Sequence, residues 1–173
     1  MPNNDILLSL AEISAAFAGF AALVSVLSKR NDKMADAIHD LLRLRLVISS
    51  SVAGVAAALL PIGLAAYGIN PEVTWRLAAL AFLIFDNGII ASFMRTYRPV
   101  RETFVPDRLA VVIVGVLEVT EQVSLIAIVI GLSSGNEPAL YVTALIANIC
   151  QAGFIFVRFV ASAFHHENQL FED

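Results

Sequence analysis

The stretch "VGVLEVTEQVSLIAIVIGL", residues 114–132, would pass for a lipid-embedded helix but for Glu118, Glu121 and Gln122 set near its middle. The composition of the whole chain decides which environment it belongs to. Of the 173 residues, 58% are apolar and 15% charged, and the mean hydropathy is +0.79, far outside the range of a soluble globular domain. The chain reads as an all-α integral membrane protein, a single transmembrane helical domain over residues 1–173. Its net charge of -4 says little, because where each charge falls relative to the bilayer matters more than the sum. The one cysteine, Cys150, excludes an intramolecular disulfide and reads as a small packing residue inside an apolar run.

Crossing the hydrocarbon layer as a helix takes roughly 20 apolar residues. Working outward from residues 114–132, five such runs lie between clusters of charge: Ile6 to Leu27, Ala35 to Tyr67, Val73 to Met94, Leu109 to Leu132 and Ala139 to Phe164. Turn and helix-stop chemistry marks the boundaries at Asn70-Pro71, Pro99, Pro106-Asp107 and Ser133-Ser134-Gly135-Asn136. The expected architecture is a five-span bundle; four spans with one interfacial helix is the alternative.

The second run is longer than a span requires, since 33 helical residues extend about 50 Å. Its first turns should therefore project along the interface. There Asp36, His39, Asp40 and Arg43 share a polar face, and Ile38, Leu41, Leu42 and Leu46 the opposite one. That polar face is a solvated helix end or, on a functional reading, a vestibule or docking surface. Pro61 is expected to kink the outer third of the run, and residues 164–173, with His165 and His166, read as a short acidic tail.

Basic residues suggest an orientation. Lys29, Arg30, Lys33, Arg43, Arg45, Arg95, Arg98, Arg101, Arg108 and Arg158 fall on one side and only Arg76 on the other, which predicts the N-terminus outside and the C-terminus in the cytoplasm. No base precedes the first run and a basic cluster follows it, the reverse of a secretory signal peptide, so it reads as a retained anchor.

An acidic residue at mid-span costs about 2.5 to 3.5 kcal/mol, so two in one helix are kept against a sizeable opposing free energy. Glu118 and Glu121 are expected roughly 15 and 20 Å from the basic side, near the bilayer midplane. Asp86 and Asn87 in the third run fall at nearly the same depth and are expected to form a second polar tier. Asn148 and Gln151 come from the fifth run, Ser49, Ser50 and Ser51 from the second, and Glu12 from the first, nearer the outer side. Turned toward one another, Glu12, Asp86, Asn87, Glu118, Glu121, Gln122, Asn148 and Gln151 would make a polar ion pathway, with Arg158 as counter-charge or gate. Three fates are open to the acids: to be carried protonated, to pair with Arg158, or to line water and bind a cation.

Small residues at Ala11, Ala15 and Gly19, and at Ser14, Ala18 and Ala22, form two strips that permit close helix approach in a membrane. Glu12 is expected on that packed side. A chain of this size has little room for a private aqueous pathway, so a homo-oligomer that repeats each acid around an axis is the expected assembly.

Enzyme signatures are absent from the sequence: there is no P-loop, dinucleotide-binding glycine pattern, G-x-S-x-G or H-E-x-x-H. Glu118 and Glu121 form an E-x-x-E pair able to share a cation across one helical turn, but no E-x-x-H partner supports a di-iron bundle. No cofactor is expected, and the basic loop around Arg95 to Arg108 reads as a topology signal and lipid contact, not as a nucleic-acid site. The opening helix "LAEISAAFAGFAALVSVLSKR" resembles that of small bacterial multi-span membrane proteins whose first span reads L-A-E-x-x-A-x-F-A-G-F. That resemblance implies a bacterial inner-membrane location and a multi-span fold, and implies no activity. The functional expectation is a channel or channel-like transporter for small cations or protons. The alternatives are a non-conducting accessory subunit and, less favoured, an intramembrane enzyme acting on a lipid or quinone.

Overall fold

Helix boundaries fall close to where the turn chemistry puts them. In a computed structural model, residues 4–27, 34–99, 107–132 and 135–169 are described, the side chains of 27, 34–40 and 162–169 apart. They form α1 Asn4–Leu27, α2 Met34–Ala66, α3 Pro71–Tyr97, α4 Arg108–Val129 and α5 Glu137–Gln169. All five are long and apolar enough to cross a membrane. The loop bases Lys29, Arg30, Lys33 and Arg101, the side chains of Asp36, His39 and Asp40, those of His165 and His166, and residues 170–173 lie outside the described residues. The expected acidic tail is in part a continuation of α5, whose backbone stays helical to Gln169.

Side-chain caps set the starts of two helices. Asn70 accepts a hydrogen bond from the Glu72 amide at 2.9 Å, with Pro71 in the first turn where its missing N–H leaves nothing unmade. Asp107 accepts from the Leu109 amide at 3.1 Å. At the end of α4, Gly131 takes φ +76° while its amide reaches Ile128 O at 3.1 Å and the Leu132 amide reaches Ala127 O at 3.0 Å. This is the Schellman arrangement, which closes a helix with a left-handed glycine.

The bundle is built on α2 and α5, whose spans are each 44% buried against 22% for the other three. α1 packs on α2 and α5 from one side, while α3 lies on α2 and α4 on α5 from the other, with α3 and α4 also in contact. Neighbours run antiparallel: Arg45 at the start of α2 reaches Ser92 near the end of α3, and Arg158 of α5 reaches Asp107 just before α4. The contiguous apolar core gathers in the half of the bundle away from those contacts. It contains Leu7, Ala58, Ala78, Phe82, Leu125, Ile128, Tyr141 and Leu145, all under 2% exposed. Trp75, Phe82 and Tyr141 meet there ring to ring at 5.4 and 6.3 Å.

Of the two small-residue strips on α1, neither is the seam. Ala11 and Ser14 are buried and Ala18 half-buried, but Ala15, Gly19 and Ala22 point outward, as does Glu12. The buried line is Leu7, Leu10, Ala11, Ser14 and Ala21. Helix geometry explains the choice, because this line turns two leucines inward and leaves Glu12 out. Cys150 is likewise exposed, on the outer face of α5, and is not a packing residue within the chain.

Pro61 is buried within α2, and the helix runs through it without a break. A proline has no N–H, so the carbonyl four residues earlier, Ala57 O, has no donor within its own helix. The Tyr141 hydroxyl of α5 supplies one at 2.7 Å. Inside a membrane such a carbonyl must be satisfied by a neighbouring helix, which ties α5 to α2 at this level. Tyr141→Phe should destabilise the bundle by about 1–3 kcal/mol, the range for a buried polar group left unmade. In a Pro61→Ala background the restored N–H serves Ala57 O, so Tyr141→Phe should then cost much less. Thermal melts of the four chains in one detergent check this, and equal Tyr141→Phe losses in both backgrounds would contradict it.

Candidate functional site

The acids of α3 and α4 meet because each helix turns its one polar strip toward the other. Glu118 is the eleventh of α4's 22 residues, about 15 Å from the helix start. One turn on, Glu121 and Gln122 lie on the same flank, and Asp86 faces them from the middle of α3. One carboxylate oxygen from each of Asp86, Glu118 and Glu121 lies within 4.8 Å of the others.

Amides hold this cluster. The Gln122 side chain donates from Nε2 to Asp86 Oδ2 at 2.5 Å and to Glu118 Oε1 at 2.9 Å. Gln151 of α5 donates to Glu118 Oε2 at 3.0 Å, with a longer 3.4 Å approach to Val114 O. Asn87 donates to Gln122 Oε1 at 3.2 Å and to Leu83 O of its own helix at 2.8 Å. Three helices are thus joined through two carboxylates and three amides. Glu121 is different: it is fully buried, and neither of its carboxylate oxygens has a hydrogen-bond partner.

Asn148 of α5 stands beside the Glu121 carboxyl. Its Nδ2 donates to Ser50 Oγ of α2 at 3.0 Å, while its Oδ1 is buried without a partner. A Cβ at Gly54 would come within 2.9 Å of Ser14 Oγ and 3.1 Å of Asn148 Oδ1, so only glycine lets α1, α2 and α5 close up at this point. The polar set therefore runs inward from Asn87 at the exposed edge, through Gln122, Glu118 and Asp86, to Glu121, Asn148 and the serines.

This arrangement changes several sequence expectations. Asp86 and Asn87 are not a second tier; they share the level of Glu118. Glu12 does not join the set, for it points out of the bundle on a helix packed against α2 and α5. Arg158 is not the counter-charge of the deep acids: its Nη1 pairs with Asp107 Oδ2 at 2.9 Å, half exposed, and its guanidinium lies 5.9 Å from the centre of the Phe154 ring. Among the described residues no salt bridge reaches Asp86, Glu118 or Glu121. The sequence reading overlooked Gly54 and Tyr141. A proline deep in a span, which demands a donor from elsewhere, was the available signal for the second; for the first there was none.

An open groove of about 300 Å³ lies between α2 and α3 on the basic side of the acids, with Arg45, Ser49, Ser92 and Thr96 among its lining residues. Compared with known proteins, the chain matches no family model, no curated protein and no solved structure.

The Asp107–Arg158 pair gives a test at the membrane edge. Hydrogen bonds from Arg158 and then from the Leu109 amide hold the Asp107 carboxyl below its ordinary range. A carboxyl depressed in the folded state binds its proton less readily there, so the pair stabilises above the ordinary carboxyl range and loses that contribution as pH falls. Asparagine caps a helix as well as aspartate, so Asp107→Asn removes the ion pair alone. Its melting temperature should lie slightly below that of the unsubstituted protein at pH 7, and the gap should close once the pH is well below about 4. A gap that is constant with pH would show that the pair does not contribute.

Proposed function

We propose that the protein is a homo-oligomeric channel or channel-like transporter for small cations or protons, with Asp86, Glu118 and Glu121 as its ion-handling group. One observation carries the reading: three carboxyls lie together halfway across the membrane, and no base among the described residues pairs with them. Helix-fastening alone is met by amides, which span a bilayer without the cost of a charge. Retaining three acids instead points to a site where charge is gained and lost.

The layout supports an entry route. Toward Arg76 the acids are backed by the Trp75, Phe82 and Tyr141 cluster, an apolar plug. Sideways, at the level of the acids, Asn87 is exposed and Glu118 and Gln122 half-buried along the α3–α4 edge. A polar edge at this depth is unfavourable against lipid, which supports burial against another copy of the chain. Gly115, exposed and with open space around it, leaves room for close approach there. The distribution of bases favours an N-terminus outside and a C-terminus in the cytoplasm, and the opening-helix resemblance favours a bacterial inner membrane.

A second reading, an accessory subunit that conducts nothing, draws on the bonds from Gln122 to Asp86 and from Gln151 to Glu118, which fasten α3, α4 and α5. Flux into proteoliposomes separates the two. On the preferred reading the purified protein conducts cations or protons, and Asp86→Asn or Glu118→Gln lowers the flux at least about tenfold, or changes its selectivity, at unchanged assembly. Absence of flux in the unsubstituted protein, with the same variants altering only melting temperature, would establish the accessory role.

A further inference from the structure

We infer that Asp86, Glu118 and Glu121 form a binding site for one hard divalent cation of the magnesium, manganese and calcium class. The inference rests on the reading above in taking these acids as an ion-handling site, and it names the ion.

Geometry is the first argument. Oxygens that share one such ion at about 2.0–2.6 Å from it are separated by about 3–5 Å, adjacent or opposite. The mutual limit of 4.8 Å among one oxygen from each acid is that spacing. Without an ion or a shared proton it brings like charges together.

The second argument is independent of the clustering. Glu121 is fully buried and aimed into the group, yet both of its oxygens lack a hydrogen-bond donor. Every other acid in the set has been given one: Gln122 serves Asp86 and Glu118, and Gln151 serves the second oxygen of Glu118. Those amides hold the two carboxylates in place, as the outer hydrogen bonds of a metal site do. Asn148 stands beside the Glu121 carboxyl, yet its amide donates to Ser50 and neither Glu121 oxygen has a partner within hydrogen-bond distance, which leaves this carboxyl the one in the set open to an added ligand.

Donor chemistry then names the class. The set is oxygen only, with neither a histidine nor a thiol, which disfavours zinc, copper and other softer ions and suits magnesium, manganese or calcium. Three carboxylates against one divalent ion leave a single negative charge, and Glu118, only half-buried within the chain, leaves room on that side for further oxygen ligands.

Manganese is the probe. The full chain, purified in detergent after treatment with a chelator, should remove one Mn²⁺ per chain from the free-ion signal in electron paramagnetic resonance, with Mg²⁺ or Ca²⁺ competing. Glu121→Gln and, separately, Asp86→Asn should each weaken binding at least tenfold, while Glu72→Gln, in the exposed pair with Arg76, should leave it unchanged. Failure of the unsubstituted, folded protein to bind at millimolar Mn²⁺ would overturn the proposal, as would full binding by either site variant. Should Glu121→Gln not fold, Asp86→Asn and the unsubstituted protein still decide. Proton flux without Mn²⁺ binding defeats the divalent site and leaves the conduit standing; Mn²⁺ binding without any flux defeats the conduit and leaves the site.

Discussion

Three carboxyls gathered midway along apolar helices, with no base among the described residues to meet them, are the constraint around which the rest of the molecule is arranged. Two unit charges 4.8 Å apart repel by about 3.5 kcal/mol at an effective dielectric near 20, and three acids make three such pairs. Hydrogen bonds from Gln122 and Gln151 relieve part of this for Asp86 and Glu118 and none of it for Glu121. The remainder has to be removed by protons or by a cation. On the proposed reading, whichever does so is bound midway along the bundle by residues from different helices, and its arrival or departure is felt by α3, α4 and α5 together.

The two halves of the bundle divide the work. In the half toward Arg76, aromatic and aliphatic side chains fill the space, and the Tyr141 hydroxyl closes the carbonyl that Pro61 leaves open. The acids sit directly beneath, and beyond them the space between α2 and α3 opens into a mainly apolar groove that also carries Arg45, Ser49, Ser92 and Thr96. Such asymmetry is what α2 and α5, the two most buried helices, make possible. Each contributes apolar residues to one half and serine, asparagine or glutamine to the other, so one pair of helices holds both the plug and the polar floor.

Much of this was legible in the sequence. Hydropathy and the turn residues locate the five helices to within a few residues, because a span has to be apolar for its full length and the stops have to be polar. Depth was legible as well: counting along a helix places Asp86, Glu118 and Glu121 at one level, and they are found together. Rotation about each helix axis was not. Glu12 lies between Ala11 and Ser14, both buried, and neighbouring positions on a helix differ by about 100°. Which strip faces inward is set by the leucines that fill the neighbouring groove, a property of α2 and α5 and not of α1. Arg158 fails as a counter-charge for a related reason: a long side chain near a helix end reaches the polar edge, and Asp107 is there to receive it.

Glu12 and the α3–α4 edge bear on how copies of the chain would meet. The first lies on the outer face of α1, the second across the bundle beyond α2 and α5, so the two polar faces point in different directions. A twofold dimer would cover one of them twice and leave the other in lipid. A head-to-tail contact, with α1 of one protomer against the α3–α4 edge of the next, covers both, and a rotation that closes generates a ring. In the proposed assembly that geometry sets Ala15, Gly19 and Ala22 against the edge that carries Gly115, small residues on both sides of the contact. It also returns Glu12 to the neighbourhood of the other acids by way of the adjacent chain, where the fold of a single chain keeps it apart.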